Sequence, residues 1–386
     1  MKEFVGKYRN SFLVMVMKLK KVIIFLVICL GITGCLPKPE PRTGNFNAIV
    51  IDTLTEEPIP EVSVNIGDKL YKTDLKGRFS LAGLAPGDYQ VKMERSWYQS
   101  KEIGYQHLGK PALVEFYLQP NEELSGKIFY SLYKSKIDRE LYELDLRTRS
   151  CNKLIDLPGT NEYNPCWVNS ELIAFQKGTD KEGTIHFFNP VNKSIEFVCN
   201  GTHPSLYKNE MVYKSSDNII TKRKLGNSNE TLTYIHAGYN PVISPDGTKL
   251  AYTGGGWNKL IIVDLNTSIA SILESNNCNI DNPCWSPDGT KIAFEAYTDA
   301  EGQRAIYYIQ EPFTFEKKQS ITNPTGQKEQ HRHPTWSGTQ ENIVYFSANI
   351  VYTSRNDIYA VKIGGNSKWI MVSKGSGEKN YPCWGQ

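Results

Sequence analysis

The sequence predicts an all-β protein: a small β-sandwich followed by a β-propeller of six blades, closed by strands from both ends of the propeller domain. Three observations predict it. A phrase built on proline and tryptophan recurs six times in the last two-thirds of the chain. The stretch ahead of it alternates apolar and polar residues with period two, between turns rich in glycine, proline and aspartate. Tyrosine (22) and glycine (30) are abundant, which suits many short strands and turns better than helices.

The N-terminal 34 residues read as a targeting segment and are set aside from the fold. Lys18, Lys20 and Lys21 form a positive region, and Val22 to Ile32 are apolar. That run is shorter than the roughly 20 apolar residues a spanning helix needs. It ends in Ile32-Thr33-Gly34-Cys35, which resembles a lipobox, so Cys35 is the expected site of diacylation and membrane attachment. Met1, Met15 and Met17 all leave this signal intact as starting residues. Leu36 follows the lipid site, and the expected location is the cell envelope, at the outer membrane or cell surface, with the periplasmic side as the other possibility. Residues 35–44 hold Pro37, Pro39 and Pro41 and read as a tether.

Residues 45–119 form the first predicted domain. Ala48 to Asp52 and Val62 to Ile66 read as strands, Lys72 to Leu81 as a hairpin turning at Asp74 and Gly77, and Pro86-Gly87 as the turn before another strand. The order of Glu57-Pro58-Ile59-Pro60-Glu61-Val62, Thr73-Asp74-Leu75-Lys76-Gly77-Arg78-Phe79 and Leu84-Ala85-Pro86-Gly87-Asp88-Tyr89 resembles the carboxypeptidase regulatory-like (transthyretin-type) sandwich. The resemblance implies a non-catalytic accessory module.

Residues 121–386 carry the repeat. Its copies are Asn164-Pro165-Cys166-Trp167, His203-Pro204-Ser205-Leu206, Asn240 to Tyr252, Asn282 to Phe294, His333-Pro334-Thr335-Trp336-Ser337 and Tyr381-Pro382-Cys383-Trp384. The prolines lie 39, 37, 42, 51 and 48 residues apart, the length of a four-stranded blade. In each copy an inner strand carries the proline and tryptophan, the tryptophan filling space between blades. Two copies add a Ser-Pro-Asp-Gly turn, in which Asp246 and Asp288 are expected to cap amides and Gly247 and Gly289 to relieve the backbone. The first blade-forming segment, Gly126 to Ser131, reads as a second strand without a first, and the chain finishes on a first strand without a second. Joined, they close the ring and leave no open edge. The repeats resemble those of TolB-like propellers (WD40-like Pro-Asp repeats), a family of interaction proteins. The α/β domain that precedes the propeller in TolB itself is not recognisable here, which sets this chain apart from the Tol machine.

Charged residues make up 22% of the chain and the formal net charge is +3, which excludes a basic nucleic-acid stripe. Beyond Cys29 and Cys35 there are six cysteines, and Cys166, Cys284 and Cys383 occupy equivalent repeat positions. Such positions sit around a ring, where pairing is disfavoured. The chain contains neither a Gly-x-Ser-x-Gly elbow nor a His-Glu-x-x-His run, so no catalytic residue, metal or cofactor is expected. The candidate ligand-binding set at the propeller mouth is His203, Gln330, His331, Arg332 and His333. One reading makes it a metal or acidic-sugar site, as in oligogalacturonate lyases. The other makes His203 and His333 stand-ins for the asparagine of the phrase, capping the preceding loop. The function expected is a membrane-tethered scaffold that binds an envelope protein, peptide or glycan. A lyase-like, polysaccharide-active enzyme is the alternative, and a rigid structural spacer is a third possibility.

Overall fold

The computed structural model describes residues 44–386 apart from 122, 180–181, 227–231, 257, 276–278, 299–301, 326–328, 350–354 and 365–367. The targeting segment and Cys35 lie outside the described residues. No helix among the described residues is long and apolar enough to cross a membrane.

The sandwich has seven strands: β1 (Gly44–Asp52), β2 (Ser63–Ile66), β3 (Lys69–Lys72), β4 (Arg78–Leu84), β5 (Gly87–Glu94), β6 (Lys101–His107) and β7 (Ala112–Leu118). They form two sheets, ordered β4-β1-β7 and β3-β2-β5-β6. Alternation decides which side chains are buried: Phe46, Ala48 and Val50 on β1, Val64 and Ile66 on β2, Val91 and Met93 on β5. The predicted hairpin at 72–81 is not one, because β3 and β4 belong to different sheets. Its turn residues act as read, with Asp74 Oδ1 accepting the amides of Lys76 and Arg78 at 2.8 Å each. The chain is drawn across by Thr73, whose hydroxyl takes the Val62 amide at 2.8 Å and donates to the Ile59 carbonyl at 2.9 Å. By backbone contacts the chain separates into two compact units. Of the described residues, 44–46, 81–88 and 106–112 fall in one, which is the start of β1 with the β4–β5 and β6–β7 connections.

The second unit contains the propeller. Its six blades are four-stranded antiparallel sheets, numbered here by their inner strands. Blade 1 starts at Glu162–Asn169, blade 2 at Thr202–Tyr207, blade 3 at Tyr239–Ile243, blade 4 at Ile280–Trp285 and blade 5 at Gln330–Trp336. Blade 6 takes its inner strand, Glu378–Gly385, from the end of the chain and its other three from residues 127–155. Blades 4 and 5 are joined by one parallel pairing, Arg304 with Gln330. The ring closes as the repeat pattern requires.

The core lies between blades. Trp336, Val344, Phe346 and Tyr359 of blade 5 pack with Ala293, Ile306 and Tyr308 of blade 4. Trp285, Ile292 and Phe294 of blade 4 pack with Ala251, Leu260 and Ile262 of blade 3. Phe129 and Leu141 of blade 6 meet Ile173, Phe175 and Phe188 of blade 1.

Candidate functional site

Every inner strand carries the same irregularity. Its pairing with the second strand slips between the residue two before the proline and the residue after it, as between Tyr163 and Cys166 or Asp281 and Cys284. The other four blades slip at the equivalent place. Inside the slip lie the proline, which has no N–H to offer a ladder, and the residue before it. That residue is Asn164, His203, Asn240, Asn282, His333 or Tyr381, and all six are left-handed, with φ between 47° and 54°. Asparagine and histidine enter this region more readily than most side chains, which accounts for five of the six. The bulge aims these residues at the channel.

Polar side chains on the second strands hold the bulges in place. Gln176 Oε1 accepts Asn164 Nδ2 at 2.9 Å and the backbone N–H of His203, one blade on, at 3.1 Å. Glu295 Oε2 accepts the His333 amide, again one blade on, at 2.8 Å. His333 Nδ1 pairs with Ser347 Oγ at 2.9 Å. Asn240 Nδ2 donates to Asp281 of the next blade. The expectation that the asparagine position caps the preceding loop is therefore corrected: Asn164 and Asn240 bond within their own blade or forward to the next.

The mouth is a cavity of about 810 Å³ lined by Glu182, His203, Lys214, Ser216, Asn218, Tyr239, Asn240, Asp281, Asn282, Glu295, Arg304, Arg332, His333 and Tyr381. It leads to a narrower cavity of about 180 Å³ walled by the six phrases themselves. At one side Arg304 ion-pairs with the buried Glu295 and lies 3.7 Å from Asp281, while its Nη2 donates to Tyr297 at 3.3 Å. Burial, and then the charge of Glu295, raise the Asp281 carboxyl well above the usual carboxylate range, against the Asn282 amide, Arg304 and Asn240. Arg332 differs from Arg304. Among the described residues its guanidinium has no carboxylate partner, and the one hydrogen bond it makes with them, to Gln330 Oε1, is long at 3.5 Å.

The predicted set is divided by the fold. His203, Arg332 and His333 come together at the mouth. Gln330 does not line it; its amide donates to the Gly302 carbonyl at 3.0 Å. His331 is fully buried, with Nε2 2.9 Å from Glu329 Oε1 and its ring 5.1 Å from Phe346. Strand alternation turns it away from the face that Arg332 occupies. The reading of five neighbouring side chains as one site is corrected to three. Asp281, Glu295, Lys214 and Tyr239 were missed. Asp281 and Tyr239 hold the position of Arg332 in other phrases, and Glu295 and Lys214 each follow the aromatic residue of a second strand (Phe294, Tyr213), so the repeat register itself marks them. Among the described residues, no three His, Cys, Asp or Glu side chains are placed to hold a metal.

The turn residues bond as a pair of copies. Asp246 accepts the Thr248 amide at 3.0 Å and its hydroxyl at 2.7 Å, and Asp288 repeats both distances with Thr290. Gly247 and Gly289 have φ of 77° and 70°, a region costly for other residues.

No family model matches the chain, and no curated protein matches it in sequence. Solved structures do match in shape. TolB from Acinetobacter baumannii aligns with a TM-score of 0.57 at 15% identity, over 78% of this chain and 80% of that one. In fold, the chain is similar to TolB. A chain of a nidogen/laminin complex aligns with a TM-score of 0.52 at 9% identity, over 67% of this chain and 98% of that one. At these identities the likeness concerns the fold, and function has to be argued from the site.

Proposed function

We propose that the chain is a cell-envelope lipoprotein, attached to a membrane through Cys35, whose propeller mouth is a non-catalytic site for an acidic segment of a protein, peptide or glycan. The supporting observation is Arg332: a guanidinium lining a wide polar cavity with no carboxylate of the described chain to neutralise it. A carboxylate brought by a ligand would supply the bidentate partner that such a fork favours. The asparagines and tyrosines around the rim offer donors and flat apolar faces on which a chain can lie. The likeness in fold to TolB and to a chain of a nidogen/laminin complex is compatible with a binding scaffold.

The test is in-cell photocrosslinking from a benzoylphenylalanine placed at Ser216, an exposed residue of the mouth. A discrete adduct that disappears in R332A supports the proposal. An adduct pattern identical to that from a probe at Val191, exposed outside the mouth, overturns it.

A polysaccharide lyase is the second reading. It has in its favour a raised carboxyl, Asp281, in one cavity with His203, His333 and Arg332, the materials of proton abstraction from an acidic sugar. Release of unsaturated oligosaccharide from polygalacturonate, lost in H333A, would establish it over the scaffold.

A further inference from the structure

We propose that the end of the sandwich where the chain enters β1 rests on the lipid bilayer, with the β4–β5 and β6–β7 connections dipping into its interfacial region. The inference depends on the reading of Cys35 as the lipid anchor and specifies what the anchor does to the protein's orientation.

Three observations carry it. The first described residue, Gly44, lies nine positions after Cys35, so even a fully extended tether spans only about 30 Å. Gly44 is packed on the β6–β7 connection so closely that a Cβ there would meet Lys110 and Gly109 at 2.9 to 3.0 Å. The point of attachment and this connection are therefore one place. The start of β1 and the two connections also form one compact unit of the chain.

That unit presents apolar side chains to solvent, with no element among the described residues covering them. Leu108, at the tip of the β6–β7 connection, is 69% exposed. Pro111 beside it and Pro86 in the β4–β5 connection are exposed, and Leu84 is half-buried. Residues 44–46, 81–88 and 106–112 together contain one basic side chain, Lys110, and one acidic, Asp88. A surface this close to neutral has little to gain from anionic headgroups, whereas exposed leucine and proline tips gain by leaving water. A lipid surface held within a short tether's reach fits that chemistry. Contact of this kind would hold the sandwich at a fixed angle to the membrane.

The experiment uses the full chain, matured in cells and reconstituted in phosphatidylcholine vesicles with and without anionic lipid. An environment-sensitive NBD label is attached through L108C or P86C, with V191C on a blade edge as the control and unsubstituted protein as the blank for native thiols. The expected result is a blue-shifted NBD emission at L108C and P86C, quenched by shallow doxyl-lipid, unaffected by the anionic fraction, and absent at V191C. Water-like emission at both positions while the protein stays on the vesicles overturns the proposal and leaves the anchor standing. Mass spectrometry of the N-terminal peptide reads the anchor separately; an unmodified Cys35 would overturn both.

Discussion

Trp336 tests whether the ring is held at the junctions between blades. Its side chain is 4% exposed, set among Ala293, Ile306 and Tyr308 of the preceding blade, and its indole N–H donates to the Cys284 carbonyl of that blade at 3.2 Å. W336F keeps the six-membered ring in place but removes this hydrogen bond, worth about 1 kcal/mol. It also removes roughly a methylene or two of buried contact, about 1 kcal/mol more. A loss of about 2 kcal/mol in a unit of this size lowers Tm by roughly 4 to 8 °C. W336A, which leaves a cavity between two blades, should cost about 3–5 kcal/mol. Differential scanning calorimetry of the purified chain measures both, with F197L at an exposed blade edge as a control that should move Tm by less than a degree or so. If W336F melts with the control, the tryptophan only fills space and its hydrogen bond does not hold the two blades together.

Four further predictions follow from the same geometry. Removal of the last strand, Glu378–Gly385, opens the ring and exposes the edge of its one partner strand, residues 127–135, so the truncated chain should lose cooperative unfolding and aggregate in light scattering. G338A places a Cβ 2.1 Å from the Trp384 ring and should destabilise by about 1–3 kcal/mol through overpacking, read by urea titration. Hydrogen bonds from Ser244 and Thr248 hold the Asp246 carboxyl down from 3.8 to about 2. The folded state therefore binds the proton less readily than the unfolded chain, and this stabilisation is present above the ordinary value and lost as pH falls through the depressed one; D246N should flatten that acid limb in denaturation curves. At Glu295 the sign reverses: its charge helps raise Asp281, so stability falls as pH rises from the ordinary carboxylate range through the raised one. E295Q should flatten that fall, and E295A, which leaves the Arg304 guanidinium without its buried partner, should cost about 3–5 kcal/mol.

The architecture was legible because its physics is periodic. The phrase spacing set the blade count, and the unmatched strands at 126–131 and 380–384 showed how the ring shuts, which the pairing of Asn380 with Ser131 and Trp384 with Ile128 realises. The sandwich was less legible. Asp74 and Gly77 mark a turn correctly, but a turn sequence does not say whether its strands stay in one sheet, and here Thr73 takes the chain across to the other. The mouth was half legible. His203, Arg332 and His333 belong to a phrase whose position in the ring was known. His331 and Gln330 were carried in by proximity in sequence, although alternation along a strand separates neighbours. Glu295 and Lys214 come from second strands, where the register gives their equivalence and the fold shows that those strands reach the same opening.

The three Pro-Cys-Trp copies can now be explained without disulfides or metal. Among the described residues no cysteine is joined in a disulfide. The Cys383 sulfur accepts the Trp167 amide of the next blade at 3.3 Å, and the backbones of Leu206 and Trp336 pull the Cys166 and Cys284 thiols down against the rise that burial causes. Where the phrase has serine or threonine the bond persists, from Ile243 to Ser205 at 3.1 Å and from Trp384 to Thr335 at 3.2 Å. The position selects a small side chain that accepts a hydrogen bond, and sulfur and hydroxyl both meet the need. Burial pushes all three thiols up, which disfavours the thiolate that oxidation or metal binding requires. Val242 is the exception. It has no acceptor on its side chain; the Trp285 indole donates to the Val242 carbonyl at 3.1 Å, as the Trp336 indole does to the Cys284 carbonyl. A C383S substitution should therefore leave the ring as stable as before, whereas C383V should cost about 1–3 kcal/mol by leaving the Trp167 amide unsatisfied. Equal losses in the two variants would mean that the size of the side chain, and not the hydrogen bond, is what the repeat preserves.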